Sequence, residues 1–474
     1  MNRTQRERVK SYILALLIIA SLVQVGILWG YQNHGLPINF LLAFLTSSRS
    51  NVPNIDDVTR QEYFVPFRVI ASNGNESHWA IGRNDASYNK LWDEAKTCLK
   101  EALASKQVPG NTENNWGEIV TKKGFVFEFK SEIKLDLLKW FLELSSASSD
   151  APDSVHKMMV VPGFVGDITV YIFNGSGVFK YSMPAHTKKG ETNIYDRVLA
   201  EIEQDENRSA EALNIIRDMY RRSKTLSSIS PDILCAMTGS KYREYQSISF
   251  SVPDRISDLE QMAGAIFPGN EKDSYDRYVD INETLIFKNL DNIYRVYSRG
   301  FMEYKYLPGY GNSDKGSISA AFLKATSFID RVSKRLNLKG DIYLSGIREY
   351  SYTYQFTFDY MVEDVPVYIN LNAEGKMKEP VKNAITIEAN SKRMLSCKWA
   401  IRSFEQGGTA GRFNIGIEEI LNSSNLDRNE IYIRDMGVAY VVEAGAQKKL
   451  EPVWAIEKDD GQNRFVQLKK EQGE

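Results

Sequence analysis

The sequence predicts an α+β protein, with an N-terminal transmembrane helix followed by exported domains in which helices pack on antiparallel sheets. Three observations carry this reading. Residues 12–31 hold no charged side chain, residues 351–360 alternate polar and aromatic without a break, and helical stretches precede runs of strands instead of alternating with them singly.

The uncharged run comes first. Its length matches the ~20 residues that cross a ~30 Å hydrocarbon layer at ~1.5 Å per residue. Tyr12 stands at one end and Trp29 and Tyr31 at the other, at the depth aromatic rings favour. Arg3, Arg6, Arg8 and Lys10, opposed only by Glu7, precede it, so the positive-inside rule keeps residues 1–11 cytoplasmic and sends the rest out of the cell. The expected location is therefore the plasma membrane, single-pass, with the bulk of the chain extracytoplasmic. A cleaved signal peptide is the competing reading, but no clear small-x-small site precedes Tyr31. A second apolar run, residues 36–45, is too short to span and contains Pro37 and Asn39.

Residues 32–60 read as a juxtamembrane linker, polar around Pro53 and Asp56-Asp57. An N-terminal exported domain is expected over 61–225. Strand character marks 62–72. Residues 85–105 carry Leu91, Ala95, Leu99 and Ala102 at helical spacing. Phe125, Phe127 and Phe129 alternate with Val126, Glu128 and Lys130, as in a half-buried strand. Asn174-Gly175-Ser176-Gly177 separates two strand-like runs, 169–173 and 178–182, and predicts a hairpin. A charged helical stretch follows over 193–222, with polar 203–209 a point where it breaks.

A middle α+β domain is expected over 226–312, with a strand at 246–252, a short helix at 256–266 and an antiparallel run at 283–287, 294–297 and 301–306. The C-terminal α+β domain, 313–474, opens with a helix over 317–336 whose Ala321, Ala325, Phe328 and Val332 share one face. Then Tyr352, Tyr354, Phe356, Phe358 and Tyr360 alternate with Ser351, Thr353, Gln355, Thr357 and Asp359, which predicts one buried and one wet face. Further strands are expected at 365–371, 384–389, 395–404, 430–442 and 451–457, with a short helix at 415–421. The order of helix and then strands recurs weakly near 226, 313 and 411.

Composition narrows the function. A net charge of −2 over 474 residues, without a basic patch beyond the cytoplasmic flank, argues against nucleic acid. Cys98, Cys235 and Cys397 are odd in number and far apart, so neither a disulfide scaffold nor a CxxC site is expected. The four histidines, His34, His78, His156 and His186, lack metal-ligand spacing and read as surface or loop imidazoles. Ser-x-x-Lys occurs at Ser87/Lys90, Ser131/Lys134 and Ser154/Lys157 without companion motifs. Gly309, Gly311 and Gly316, and Gly407, Gly408 and Gly411, lack the strand-loop-helix setting and Gly-Lys ending of a phosphate loop. Asp459-Asp460 sits in a turn beside Gly461. Neither catalytic residues, a cofactor nor a metal site is expected.

Two interaction sites are candidates. Aromatic residues on strand faces read mainly as core, but Phe301, Tyr304 and Tyr306 form the best candidate interface, since half-exposed tyrosines suit protein contacts. Within the anchor, Gly26 and Gly30 form a small-xxx-small pair, and Ser21 and Gln24 lie on another face, so these four are candidate helix contacts.

The basic Arg6-Glu7-Arg8-Val9-Lys10 start runs straight into the anchor, and Pro66-Phe67-Arg68-Val69-Ile70 opens the exported part. With residues 283–287 through 301–306, the hairpin at 352–368 and the closing Leu450-Glu-Pro-Val-Trp-Ala-Ile456, the order resembles the YycH family of two-component-system regulators from Gram-positive bacteria. The resemblance spans essentially the whole chain, although the first exported domain is longer than the family pattern. It implies a protein that works without catalysis beside an essential cell-wall-sensing histidine kinase, WalK (also YycG), together with a companion membrane protein, YycI. Both the membrane helix and the exported domains would contribute. The family includes activating and inhibiting effects, and the sequence does not select one. The alternatives are an exported module binding wall polymer or a lipid intermediate, and a wall hydrolase with two convergent carboxylates.

Overall fold

The computed structural model describes residues 55–74, 77–106, 109–111, 116–163, 167–184, 193–205, 230, 241–249, 263–267, 274–281, 284–297, 300–308, 315–370, 381–408, 411–414, 433–443, 447–458, 461 and 463–470. The chain divides into Met1–Val58 and Thr59–Glu474, and the second is one compact unit. Among the described residues no helix is long and apolar enough to cross a membrane. The anchor expected at 12–31, with Ser21, Gln24, Gly26 and Gly30, lies outside them, as do the boundaries expected at 225 and 312 and the helix at 415–421.

The first elements are α1 (Ile55–Tyr63), β1 (Arg68–Asn73), β2 (His78–Ala80), α2 (Tyr88–Ala104), β3 (Gly110–Asn111), α3 (Trp116–Ile119), β4 (Lys123–Lys134), α4 (Leu135–Phe141), β5 (Ser154–Pro162), β6 (Asp167–Phe173), β7 (Val178–Pro184) and α5 (Ile194–Gln204). The strands form one antiparallel sheet in the order β2-β1-β4-β5-β6-β7-β3. In α2, Leu91, Ala95, Cys98, Leu99 and Ala102 form the buried stripe that the spacing predicts. The hairpin forms as expected, because Asn174 Oδ1 accepts from the amides of Ser176 (3.1 Å) and Gly177 (2.9 Å), while Gly175 takes φ +91°.

Two expectations here are corrected. Residues 62–72 begin as the end of α1, and only Arg68–Asn73 is strand. Strand β4 is covered on both faces instead of one. Phe125, Phe127 and Phe129 enter the main core, while Val126 joins Trp116, Ile119, Val120, Met159 and Tyr171 in a second one. The short helix α3 closes the face that alternation left open.

The remaining elements are β8 (Lys241–Tyr242), β9 (Tyr245–Ser249), β10 (Asp276–Val279), β11 (Leu285–Lys288), β12 (Asn292–Tyr297), β13 (Phe301–Tyr306), α6 (Ile318–Leu336), β14 (Asp341–Glu349), β15 (Tyr354–Val362), β16 (Val365–Asn370), β17 (Ile385–Ala389), β18 (Met394–Ala400), β19 (Arg402–Gln406), β20 (Gly411–Asn414), β21 (Ile433–Glu443), β22 (Gln447–Leu450), β23 (Val453–Lys458), β24 (Asn463–Gln467) and β25 (Lys469–Lys470). A twelve-stranded sheet runs β10-β11-β12-β13-β18-β17-β15-β16-β21-β23-β24, with β14 beside β15. Two further three-stranded sheets run β19-β9-β22 and β25-β20-β8. The large sheet is not wholly antiparallel, since β16 and β21 pair in parallel. The expected strand at 395–404 is two strands that serve different sheets, and β24 and β25 follow the two strands expected last.

Helix α6 explains how the layers join. Ser317 caps it by accepting from the Ala320 amide at 3.2 Å, and Asn337 ends it in the left-handed region at φ +50°. Its apolar face meets the large sheet through Phe322 on Phe356 (5.3 Å) and Phe328 on Trp399 (6.1 Å). Phe322 also meets Phe141 of α4 edge-on at 5.4 Å, so one ring touches both halves of the unit. Tyr63 adds a polar tie by donating to Asp330 of α6 at 2.7 Å.

Candidate functional site

On the opposite side of the large sheet, a polar cleft of about 890 Å³ lies where β4 and β5 approach β14, β15 and β17. Two irregularities open it. Strand β4 places Glu128 opposite Lys157 and then Ile133 opposite Val155, so Phe129–Glu132 is extra chain without a ladder partner on β5. Strand β14 shifts register at Ser345. Such bulges bend a strand and re-aim its side chains. Here Phe129 turns into the core, while Lys130 reaches across to the large sheet. At Gly346, beside the β14 shift, an added Cβ would press on the Thr357 hydroxyl, so a larger residue would force that side chain to move.

One wall of the cleft is an ionic network. Arg68 of β1 grips Asp435 of β21 with two hydrogen bonds, 2.9 and 2.7 Å, and also meets Glu128 at 3.3 Å. Lys130 binds Glu457 of β23 at 2.7 Å and Asp435 at 3.3 Å, and Lys157 meets Glu128 at 3.4 Å. Three cations thus face three carboxylates, and the network ties the smaller sheet to the larger one. Burial alone would raise the Asp435 pKa, but Arg68 and Lys130 outweigh it and hold the carboxyl below its ordinary range. Burial likewise opposes charge on Lys130, and Tyr368, Asp435 and Glu457 more than offset it, so the amine stays protonated.

The floor is the face of β15 expected to be wet. Gln355 and Thr357 do line the cleft, but Asp359, next on that face, is buried. Its carboxylate accepts from the Ala384 amide at 2.7 Å and from Asn383 Nδ2 at 3.0 Å. Burial raises its pKa against these hydrogen bonds. Beyond it, Tyr343 packs on Phe67 at 5.2 Å and closes this end of the face. His156 also lines the cleft. Burial, and then Lys157, lower its pKa, so its imidazole is neutral at neutral pH.

The candidate interface residues do not present a surface. Phe301 and Tyr304 are buried, and Tyr304 stacks near Tyr294 (4.5 Å) and donates to Asn292 Oδ1 at 2.9 Å. Only Tyr306 is partly exposed, with the Arg393 guanidinium 4.5 Å from its ring centre. Phe301 and Tyr304 lie on opposite faces of β13 and both belong to the main core, Tyr304 beside Tyr294, whose ring meets Phe267 at 4.8 Å. Nor are the described histidines surface groups. His78 is fully buried and His156 partly so, whereas His34 and His186 lie outside the described residues. The Ser-x-x-Lys patterns do not form Ser–Lys pairs among the described residues. Ser154 Oγ donates to Glu132 and Lys157 pairs with Glu128, while Lys134 meets Glu132. Among those residues no group of His, Cys, Asp and Glu is arranged to hold a metal ion.

Sequence reasoning missed the network. Its one signal was Glu128 and Lys130 on the face of β4 opposite its phenylalanines.

No family profile and no curated protein matches the chain by sequence. A solved structure does match in three dimensions, the crystal structure of YycH from Bacillus subtilis. It is 13% identical, with 87% of this chain and 96% of that one covered at a TM-score of 0.53. The chain shares the YycH fold. A further match, to an uncharacterised protein from Eubacterium rectale, is 11% identical and covers 60% of this chain and 100% of that one at a TM-score of 0.36. The likeness to YycH agrees with the resemblance drawn from the order of sequence pieces, and it extends from the first sheet into the large one.

Proposed function

We propose that this chain is a non-catalytic, membrane-anchored regulator of a cell-wall-sensing histidine kinase of the WalK type, acting with a YycI-like companion. The observation that carries the proposal is the YycH fold, which covers 87% of the chain. In this reading residues 12–31 hold the chain in the plasma membrane with the N-terminus inside. Ser21, Gln24, Gly26 and Gly30 then contact partner helices, while the exported domains, 61–225, 226–312 and 313–474, engage the partner outside.

Regulation then needs no chemistry. A protein that binds one signalling state of a kinase more tightly than the other shifts the balance by that difference in affinity, typically ~1–3 kcal/mol. Co-purification from mild detergent tests this. Full-length protein should recover a histidine kinase and a second single-pass protein. Replacing Gln24 and Gly26 by Leu should reduce the yield of both. Recovery of neither partner at any detergent concentration rules the reading out.

A further inference from the structure

The floor of the cleft is a sheet face formed by β14, β15 and β17. Arg348 pairs with Gln355 and Gly346 with Thr357 across β14 and β15, and Thr357 pairs with Thr386 across β15 and β17. Backbone groups between β14, β15 and β17 are used in these ladders, so a ligand lying on this face meets side chains. Ser345, Gln355, Thr357, Asn383 and Thr386 supply hydroxyls and amides, which both donate and accept.

Charge is the second observation. The six network residues cancel, and Glu132 is engaged by Ser154 and Lys134. Arg348, Lys382 and Arg434 remain. All three line the cleft, all are exposed, and none forms an ion pair among the described residues. The cleft therefore carries a local positive surplus although the whole chain has net charge −2. Its volume, about 890 Å³, falls within the ~300–1,000 Å³ of small-ligand sites.

We propose that this cleft binds a hydroxyl-rich ligand bearing phosphate groups. Arg348, Lys382 and Arg434 take the phosphate oxygens, the arginines by paired hydrogen bonds, and the hydroxyl and amide floor takes the ligand's hydroxyls. An acidic peptide would satisfy the cations but would leave the hydroxyl and amide floor without matching hydroxyls. The site stands apart from the kinase reading, because its test is direct binding with no kinase present.

The experiment uses the full-length chain in phosphatidylcholine nanodiscs, titrated with a soluble poly(glycerol phosphate) chain. Saturable binding is expected, weakening as salt rises. The triple variant Arg348→Ala, Lys382→Ala, Arg434→Ala should lose about tenfold in affinity or more. Arg295→Ala with Lys305→Ala, outside the cleft, should bind as wild type does. All five residues are at least partly exposed, so thermal melting should show that both variants fold. Discs containing phosphatidylglycerol, whose headgroup carries the same glycerol phosphate, identify the source. Competition with the soluble chain assigns the membrane headgroup, and its absence assigns a free chain. The proposal fails if the polymer does not bind saturably in either disc, if the triple variant binds as well as wild type, or if hexa-aspartate binds as tightly as the polymer.

Discussion

Replacing Arg68 with Ala would remove the residue that joins β1 to both Glu128 and Asp435. The loss would leave Asp435 without its two-bond partner in a site where its side chain is 24% exposed. Breaking a buried pair from one side costs ~3–5 kcal/mol, and the remaining solvent access, together with Lys130 at 3.3 Å, places this case at the lower end, about 3 kcal/mol. Unfolding entropy near ~2.1 cal/mol/K per residue, summed over Thr59–Glu474, turns this into a drop in Tm of about 3 °C. Thermal melting monitored by circular dichroism reads it directly.

A double-mutant cycle with Asp435→Leu isolates the coupling, expected to exceed ~1 kcal/mol, because the second change removes the carboxylate that the first leaves stranded. The pH dependence supplies an independent sign. Asp435 has a folded pKa below its ordinary value, so its contribution is complete well above the unfolded carboxylate value of ~3.9. That contribution is lost as pH falls from there towards the folded pKa. A melting temperature within 0.5 °C of wild type (roughly the scatter of distant, independent sites), or strictly additive single mutants, would refute the network as a weld between sheets.

Asp359 has the opposite linkage. Its folded pKa is raised, so its contribution is present below the unfolded value and is lost as pH rises through the folded one. The Asp359→Asn variant, which keeps an acceptor for the Ala384 amide, should show a smaller deficit in Tm at neutral pH than at pH near ~4. Phe322→Ala should cost ~3–5 kcal/mol in urea denaturation, since one ring fills the contact among α6, α4 and the large sheet. The thiol of Cys98 is pushed up to about 12 by burial, and that of buried Cys397 is raised as well. Mass spectrometry after brief iodoacetamide treatment at neutral pH should find both unmodified in native protein and modified in urea.

Much of the architecture was legible because it rests on local periodicity. The stripe of α2, the apolar face of α6 and the aromatic row of β15 each follow from spacing, and the hairpin at Asn174 follows from its turn residues. What spacing cannot show is which second layer arrives. The polar row of β15 reads as wet, yet Asp359 is buried, because Tyr343 and the smaller sheet cover one end of that face. Strand β4 reads as half-buried, yet α3 closes its second face. The tyrosines of β13 read as a surface, yet Tyr304 lies under neighbouring rings.

The cleft itself was illegible for a plainer reason. Arg68 and Asp435 are 367 positions apart, and Lys130 and Glu457 are 327. No local pattern records such a pairing, and in a sequence that is 25% charged, single Lys and Asp residues carry little signal.

The central claim is that the chain alters a kinase by binding and not by chemistry. The most direct measurement reconstitutes the cell's wall-sensing histidine kinase in liposomes and follows its autophosphorylation and phosphatase rates with and without the full-length chain. The account predicts that one of the two rates changes several-fold, saturating at a fixed stoichiometry and without covalent change in either protein. Unchanged rates at saturating protein, or a change that requires turnover of a third component, would contradict it.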